Sequence, residues 1–153
     1  MPPRAGLIAS AWLQALRIYL GLILVGNLLW EILHLPLYTI WETGSLQEQA
    51  FAVFHCTLGD LLIAISTLTL AFVIVGDGAW PARRAWRVAA LTVLFGVSYT
   101  IYSEWMNVSV RATWAYSELM PVISIGKIQI GVSPLLQWIV VPAAAAWITH
   151  YRD

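Results

Sequence analysis

The sequence predicts an all-α fold, an integral membrane four-helix bundle, on three observations. First, 60% of the 153 residues are hydrophobic and only 10% are charged, whereas soluble domains average about 25% charged residues. A water-soluble domain of this size cannot hide so much apolar surface. Second, four apolar segments each approach the roughly 20 residues that a helix needs to cross the hydrocarbon core. Third, tryptophans fall at both ends of these segments: Trp12, Trp80, Trp86 and Trp147 at one, and Trp30, Trp41, Trp105, Trp114 and Trp138 at the other. That is the two-sided aromatic belt of a spanning bundle. Helices are favoured over strands because lipid offers backbone groups no partners and strands would need a closed barrel.

The elements follow in chain order within one domain, residues 1–153. Met1-Pro-Pro-Arg4 resembles the positive start of a signal peptide. The apolar run behind it continues past Asn27 to Glu31 without a small-x-small cleavage site, which predicts a retained first span over residues 11–36. Pro36 ends it, and Ser45-Leu-Gln-Glu48 reads as a capping box opening a second helix over residues 46–75. Gly76-Asp-Gly78 with Pro81 predicts a tight turn into a third helix, residues 84–107. The connection 108–131 is a possible lid. Ser133-Pro134 reads as an N-cap with proline at the first helical position of a fourth helix, residues 133–151, which Pro142 should kink.

Charge sets the expected orientation. Arg4, Arg83, Arg84, Arg87 and Arg152 lie on one side with Arg17 nearby, and only Arg111 and Lys127 lie on the other. The positive-inside rule then puts both termini in the cytoplasm. With eight basic and eight acidic residues the net charge is zero, so there is no basic patch for nucleic acid. One cysteine, Cys56, rules out an intrachain disulfide.

Alternating helix direction brings nearly all intramembrane ionisable groups to the outer ends: Glu31, His34, His55, Asp60 and Glu104, with Gln137 beside them. Asn27, Glu31, His34 and Tyr38 form one helical stripe, and Thr100, Glu104, Asn107 and Arg111 repeat that spacing. On the second helix, His55, Gly59 and Ser66 share one stripe while Cys56, Asp60 and Thr67 share the next. A charged group near the centre of a span costs at least about 2.5 kcal/mol, so the stripes should face one another around a polar pocket.

Three chemistries fit such a pocket. Glu31-x-x-His34 has the one-turn acid–imidazole spacing of four-helix metal proteins. A mononuclear transition-metal site (iron, zinc, copper or manganese) would use His34, His55, Glu31, Asp60 and Glu104. Cys56, Met106 or Met120 would add softer ligands. Asn27, Tyr38, Tyr99, Tyr102, Asn107, Arg111 and Gln137 would surround it, and Trp114 and Tyr116 would close it as part of the lid. A b-type haem held by His34 and His55 ranks lower, because carboxylates so close to a porphyrin are unusual. The third chemistry is metal-free: an enzyme or transport component in which the carboxyls relay protons, with Arg111 gripping a lipid head group or the pocket taking a quinone. Plain structural roles exist for each piece: Glu31 pairing with His34, Glu104 with Arg111, Asp60 with Tyr99 or Tyr102, and Cys56 as packing. His150, Glu42 and Glu48 read as solvated.

Three stretches carry a resemblance: His55-Cys-Thr-Leu-Gly-Asp60, Pro134-Leu-Leu-Gln-Trp-Ile-Val-Val-Pro142, and Tyr102-Ser-Glu-Trp-Met-Asn-Val-Ser-Val-Arg-Ala-Thr-Trp-Ala-Tyr-Ser-Glu-Leu-Met-Pro121. From about Trp30 onward the chain resembles small four-helix inner-membrane proteins of bacteria, a group with no activity attached. The resemblance implies the bacterial cytoplasmic membrane, with the pocket facing the periplasm. The bilayer is the expected partner, and a second copy or another membrane protein would be a further one.

Overall fold

The computed structural model describes residues 5–152, with side chains from residue 11 onward; Arg4, counted above for orientation, lies outside the described residues. Four long helices dominate it: α1 (Ala5–His34), α3 (Leu46–Val75), α4 (Ala85–Glu104) and α5 (Val132–Arg152). A short helix, α2 (Ile40–Thr43), sits between α1 and α3, and a hairpin of β1 (Val122–Ile125) and β2 (Ile128–Gly131) precedes α5. The long helices pack in the cyclic order α1, α3, α4, α5, each against two neighbours. All four are long and apolar enough to cross a membrane.

Local chemistry sets the ends. Pro36 falls in a 3₁₀ turn, Leu35–Leu37, that closes α1, because proline cannot donate to the preceding turn. Ser45 caps α3 as a full box: its Oγ accepts from the Glu48 amide, and its own amide donates to the Glu48 carboxylate at 2.7 Å. Asp77 orders the next turn by accepting from the Ala79 amide at 3.0 Å. The fourth long helix runs through Pro142, which is buried inside it.

The core is made of small and apolar side chains. Ala15, Tyr19 and Ile23 of α1 meet Ala64, Leu68 and Ala71 of α3, Val88 of α4, and Trp138, Val141 and Ala145 of α5. Small residues let helices approach closely, which is how bundles pack when apolar surface outside gives no drive for association. Buried threonines spend their hydroxyls on their own helices: Thr57 donates to the Val53 carbonyl, Thr92 to Val88, Thr100 to Gly96 and Thr149 to Ala145. Large apolar side chains instead face outward along every helix, among them Leu33, Phe54, Leu62 and Val73.

One departure from the expected helices matters for the site. The third expected helix, residues 84–107, ends as α-helix at Glu104 and continues as a π-helical turn, Trp105–Val110. The wider turn delays the register by part of a residue. The expected stripe Thr100, Glu104, Asn107, Arg111 is therefore broken: Thr100 and Glu104 are buried, Asn107 is half-buried and Arg111 is exposed.

Candidate functional site

The site begins with one polar stripe on α1. Asn27, Glu31 and His34 are all buried, each 7% exposed or less. Their spacing puts them one above another on the face turned to α5. From α5 comes Gln137, 2% exposed. Its Nε2 lies 3.0 Å from Asn27 Oδ1, 3.0 Å from Glu31 Oε1 and 2.8 Å from Asp60 Oδ2 of α3. One amide nitrogen thus joins three helices.

That junction has too many acceptors. A side-chain amide nitrogen carries two hydrogens, and three oxygens face it. If the amide is turned over, Asn27 can turn with it and donate, but the Glu31 and Asp60 oxygens then face an amide oxygen and need a proton between them. In either orientation the junction is incomplete without an added proton or cation.

His34 continues the network away from Gln137. Its Nε2 is 3.1 Å from Glu31 Oε2, and its Nδ1 is 3.1 Å from Ser133 Oγ. Ser133 Oγ in turn accepts from the Trp30 indole N–H at 3.1 Å. With neutral His34 protonated on Nε2, every link has one donor and one acceptor: Trp30 to Ser133, Ser133 to His34, and His34 to Glu31. The chain of hydrogen bonds ends on a carboxylate. Ser133, expected only as a helix cap, sets this tautomer.

Glu104 of α4 completes the acid set. It is 5% exposed and accepts a hydrogen bond from the Tyr116 hydroxyl. Tyr116 Oη also accepts from the Gly131 amide at 2.8 Å. The 108–131 connection is thereby tied to the site, and its backbone pairs with the segment after α1: Thr39 N–H donates to Ala115 O and Ser117 N–H to Leu37 O. Burial is the main cause that pushes the Tyr116 phenol above its ordinary range, followed by its bond to Glu104. Burial likewise leads the causes raising Tyr38, with Glu104 next.

Three carboxyls and one imidazole therefore converge without a basic partner. Among the described residues the ion pairs are Glu31–His34 and the distant Asp77–Arg83 and Asp77–Arg84. Above this floor opens a cavity of about 1180 Å³, walled by the ends of the long helices, by the 35–48 segment and by Thr113 and Trp114.

Other residues expected at the site lie elsewhere or at its edge. His55 is exposed at the cavity rim, its ring stacked on Phe51 at 5.5 Å. The α3 stripe that turns inward is Val53, Thr57, Asp60, Ala64 and Thr67, and His55 sits nearly half a turn away from its centre. Cys56 lines the cavity between the two stripes, half-buried. Tyr99 is 46% exposed at the rim, while Tyr102, 52% exposed, does not line the cavity. Asn107 lines it and donates to the Ser103 carbonyl at 2.9 Å. Asp60 meets Gln137 and not Tyr99 or Tyr102. Exposed Arg111 pairs with no carboxylate among the described residues, because the π turn carries it off the Glu104 face. Met120 is buried behind Gly131, and Met106 is half-buried in the π turn. No group of three or more His, Cys, Asp and Glu side chains is arranged to hold a metal ion among the described residues.

Gly59 gives a direct handle on the cavity. It lines the wall, and a Cβ built there meets nothing within 4 Å. Gly59→Ala is expected to melt at the same temperature as the parent or higher, since alanine favours a helix over glycine by about 1 kcal/mol. A lower melting point in a detergent-solubilised thermal scan would show that the wall is closed at Gly59.

Compared with protein families, with curated proteins and with solved structures, the chain matches none of them.

Proposed function

We propose that this chain is a multi-pass protein of the bacterial cytoplasmic membrane whose periplasmic-side pocket is an acid–imidazole site that binds and releases protons. The arginine distribution favours cytoplasmic termini, and the outward apolar surface of the four long helices favours a lipid surround. The observation that carries the proposal is the meeting of Glu31, Asp60 and Glu104 with His34 and no basic partner. Uncompensated carboxylates at such a place cost several kcal/mol each. Holding protons relieves that cost, and the links Ser133–His34–Glu31 supply a path along which one proton can be passed, while the Trp30 indole N–H, a donor only, orients Ser133. This is the composition of a proton-handling site in a membrane enzyme or transporter.

Infrared difference spectra of the purified protein test it. Titration over the neutral range should reveal a protonated carboxyl band that is lost in Asp60→Asn or Glu31→Gln. The absence of any such band at every pH would defeat the reading.

A transition metal is the second reading. One observation favours it: Glu31 Oε2 and His34 Nε2 are 3.1 Å apart on one face, a separation that two ligands of a single ion can adopt, with Glu104 nearby as a further oxygen donor. Against it, both His34 nitrogens already have protein partners, and His55 stands at the rim. Elemental analysis of protein purified without added metal decides between the two: a stoichiometric ion lost in His34→Ala supports the metal site, and none supports the proton site.

A further inference from the structure

A cavity of about 1180 Å³ is far larger than a proton or a bare ion needs, and lies at or above the usual pocket size of about 300–1,000 Å³ for small-molecule ligands. Its lining gives the chemistry of an occupant. The floor is acidic, and no lysine or arginine lines any part of it. A phosphate or carboxylate head group would meet only carboxyls there and no cation, since Arg111 is exposed and outside the lining. The walls are aromatic: Tyr38, Trp114 and Trp138 within, Phe51 and Tyr99 at the rim. Aromatic faces beside carboxylates are the surroundings in which organic ammonium groups bind.

Two further features bear on the occupant. The Trp114 indole N–H, beside the Glu104 carboxyl, is buried without a hydrogen bond of ordinary geometry on a residue that lines the cavity. An orphaned donor of this kind costs about 1–3 kcal/mol unless something accepts from it. The second feature is the way out: Phe51 and Tyr99, both lining residues, are exposed on α3 and α4. The cavity thus reaches the surface between these helices, next to the outward apolar side chains Phe54, Leu58 and Leu62.

We infer that this cavity binds an amphiphilic amine: the protonated nitrogen sits over Glu31, Asp60 and Glu104, a neighbouring hydroxyl or carbonyl oxygen accepts from Trp114, and the alkyl chain leaves between α3 and α4. The inference rests on the floor accepting positive charge, as in the proton-handling reading. Binding then exchanges a proton at the floor for an ammonium group.

The test compares three probes of equal chain length, N-dodecylethanolamine, 1-dodecanol and dodecyl phosphate, added at low mole fraction to the full chain in phosphatidylcholine nanodiscs, with the melting midpoint as the readout. A ligand that binds only the folded state raises that midpoint. The amine should raise it and bind about tenfold more tightly than the alcohol, while the phosphate should leave it unchanged. Gly59→Leu should remove the amine's effect while melting no lower than the parent, since its side chain projects into the cavity. Trp114→Phe should weaken N-dodecylethanolamine more than dodecylamine. Equal binding of amine and alcohol, or an amine shift that survives Gly59→Leu, overturns the inference. If the protonated carboxyl band is present and the amine does not bind, the ligand assignment alone falls; if the band is absent as well, the reading of the floor falls with it.

Discussion

Gln137→Leu is expected to lose about 3–5 kcal/mol of stability, the range for breaking a buried charged network by removing one partner. Leucine fills a similar volume, so the loss reports polar chemistry rather than a cavity. Without the amide, Glu31 Oε1 and Asp60 Oδ2 lose the donor that lies 3.0 and 2.8 Å from them. Asn27 loses its only side-chain link to α5. Glu31 of α1 and Asp60 of α3 then face one another with no donor between them. Reversible unfolding in mixed micelles measures the effect. A double-mutant cycle with Asp60→Asn identifies its cause: removing one acid should recover at least about 1 kcal/mol of the deficit through coupling between neighbours. A loss under about 1 kcal/mol in the single variant would mean that Gln137 is a passive core residue.

The second large effect is expected for Tyr116→Phe, at about 2–3 kcal/mol, because a hydrogen bond to a charged group is lost and its partner stays buried. Two groups are left without a partner at once: the Glu104 carboxyl and the Gly131 amide, which donates to Tyr116 Oη at 2.8 Å. The connection would then be held mainly by its bonds to the segment after α1, where Thr39 and Leu37 pair with its backbone and Ser117 Oγ donates to the Pro36 carbonyl at 3.0 Å. Faster proteolysis within residues 108–131 should accompany the loss in melting temperature. The same residue predicts a response to alkali. An unfolded tyrosine ionises near pH ~10, and in the fold the Tyr116 and Tyr38 phenols are held above that range. Their stabilising contribution is complete below the unfolded value and declines as pH rises beyond it. The melting point of the parent should therefore fall above about pH 10, and Tyr116→Phe should flatten part of that fall. Parallel declines in parent and variant would exclude Tyr116 as a cause.

Packing gives a smaller but clean control. A Cβ at Gly96 would run into the Trp138 indole, a rigid neighbour on the cavity wall. Gly96→Ala should cost about 1–3 kcal/mol through overpacking. Unlike Gln137→Leu, it should show no coupling to Asp60→Asn. Significant coupling would indicate that displacement of Trp138 reaches the acid floor.

The sequence by itself determined what depends on local and periodic forces. Four apolar runs, the Ser45–Glu48 box, the proline after α1 and the glycine-rich turn each act within a few residues, so their outcome is written in adjacent positions. The same holds for Glu31 and His34, whose one-turn spacing on a single helix suffices to make them touch. Only the tertiary structure decided the rest. Two stripes of α3 carried polar groups, and nothing within α3 chooses between His55 and Asp60. The choice came from the packing of Val53, Thr57, Ala64 and Thr67 against neighbouring helices, which turned Asp60 in and left His55 at the rim. Arg111 was lost to the site because a π turn changed the angular register beyond Glu104. Tyr116, Ser133 and Gln137 took their roles from partners 12, 99 and up to 110 residues away, and such meetings are set by chain topology, which leaves no periodic trace in the sequence.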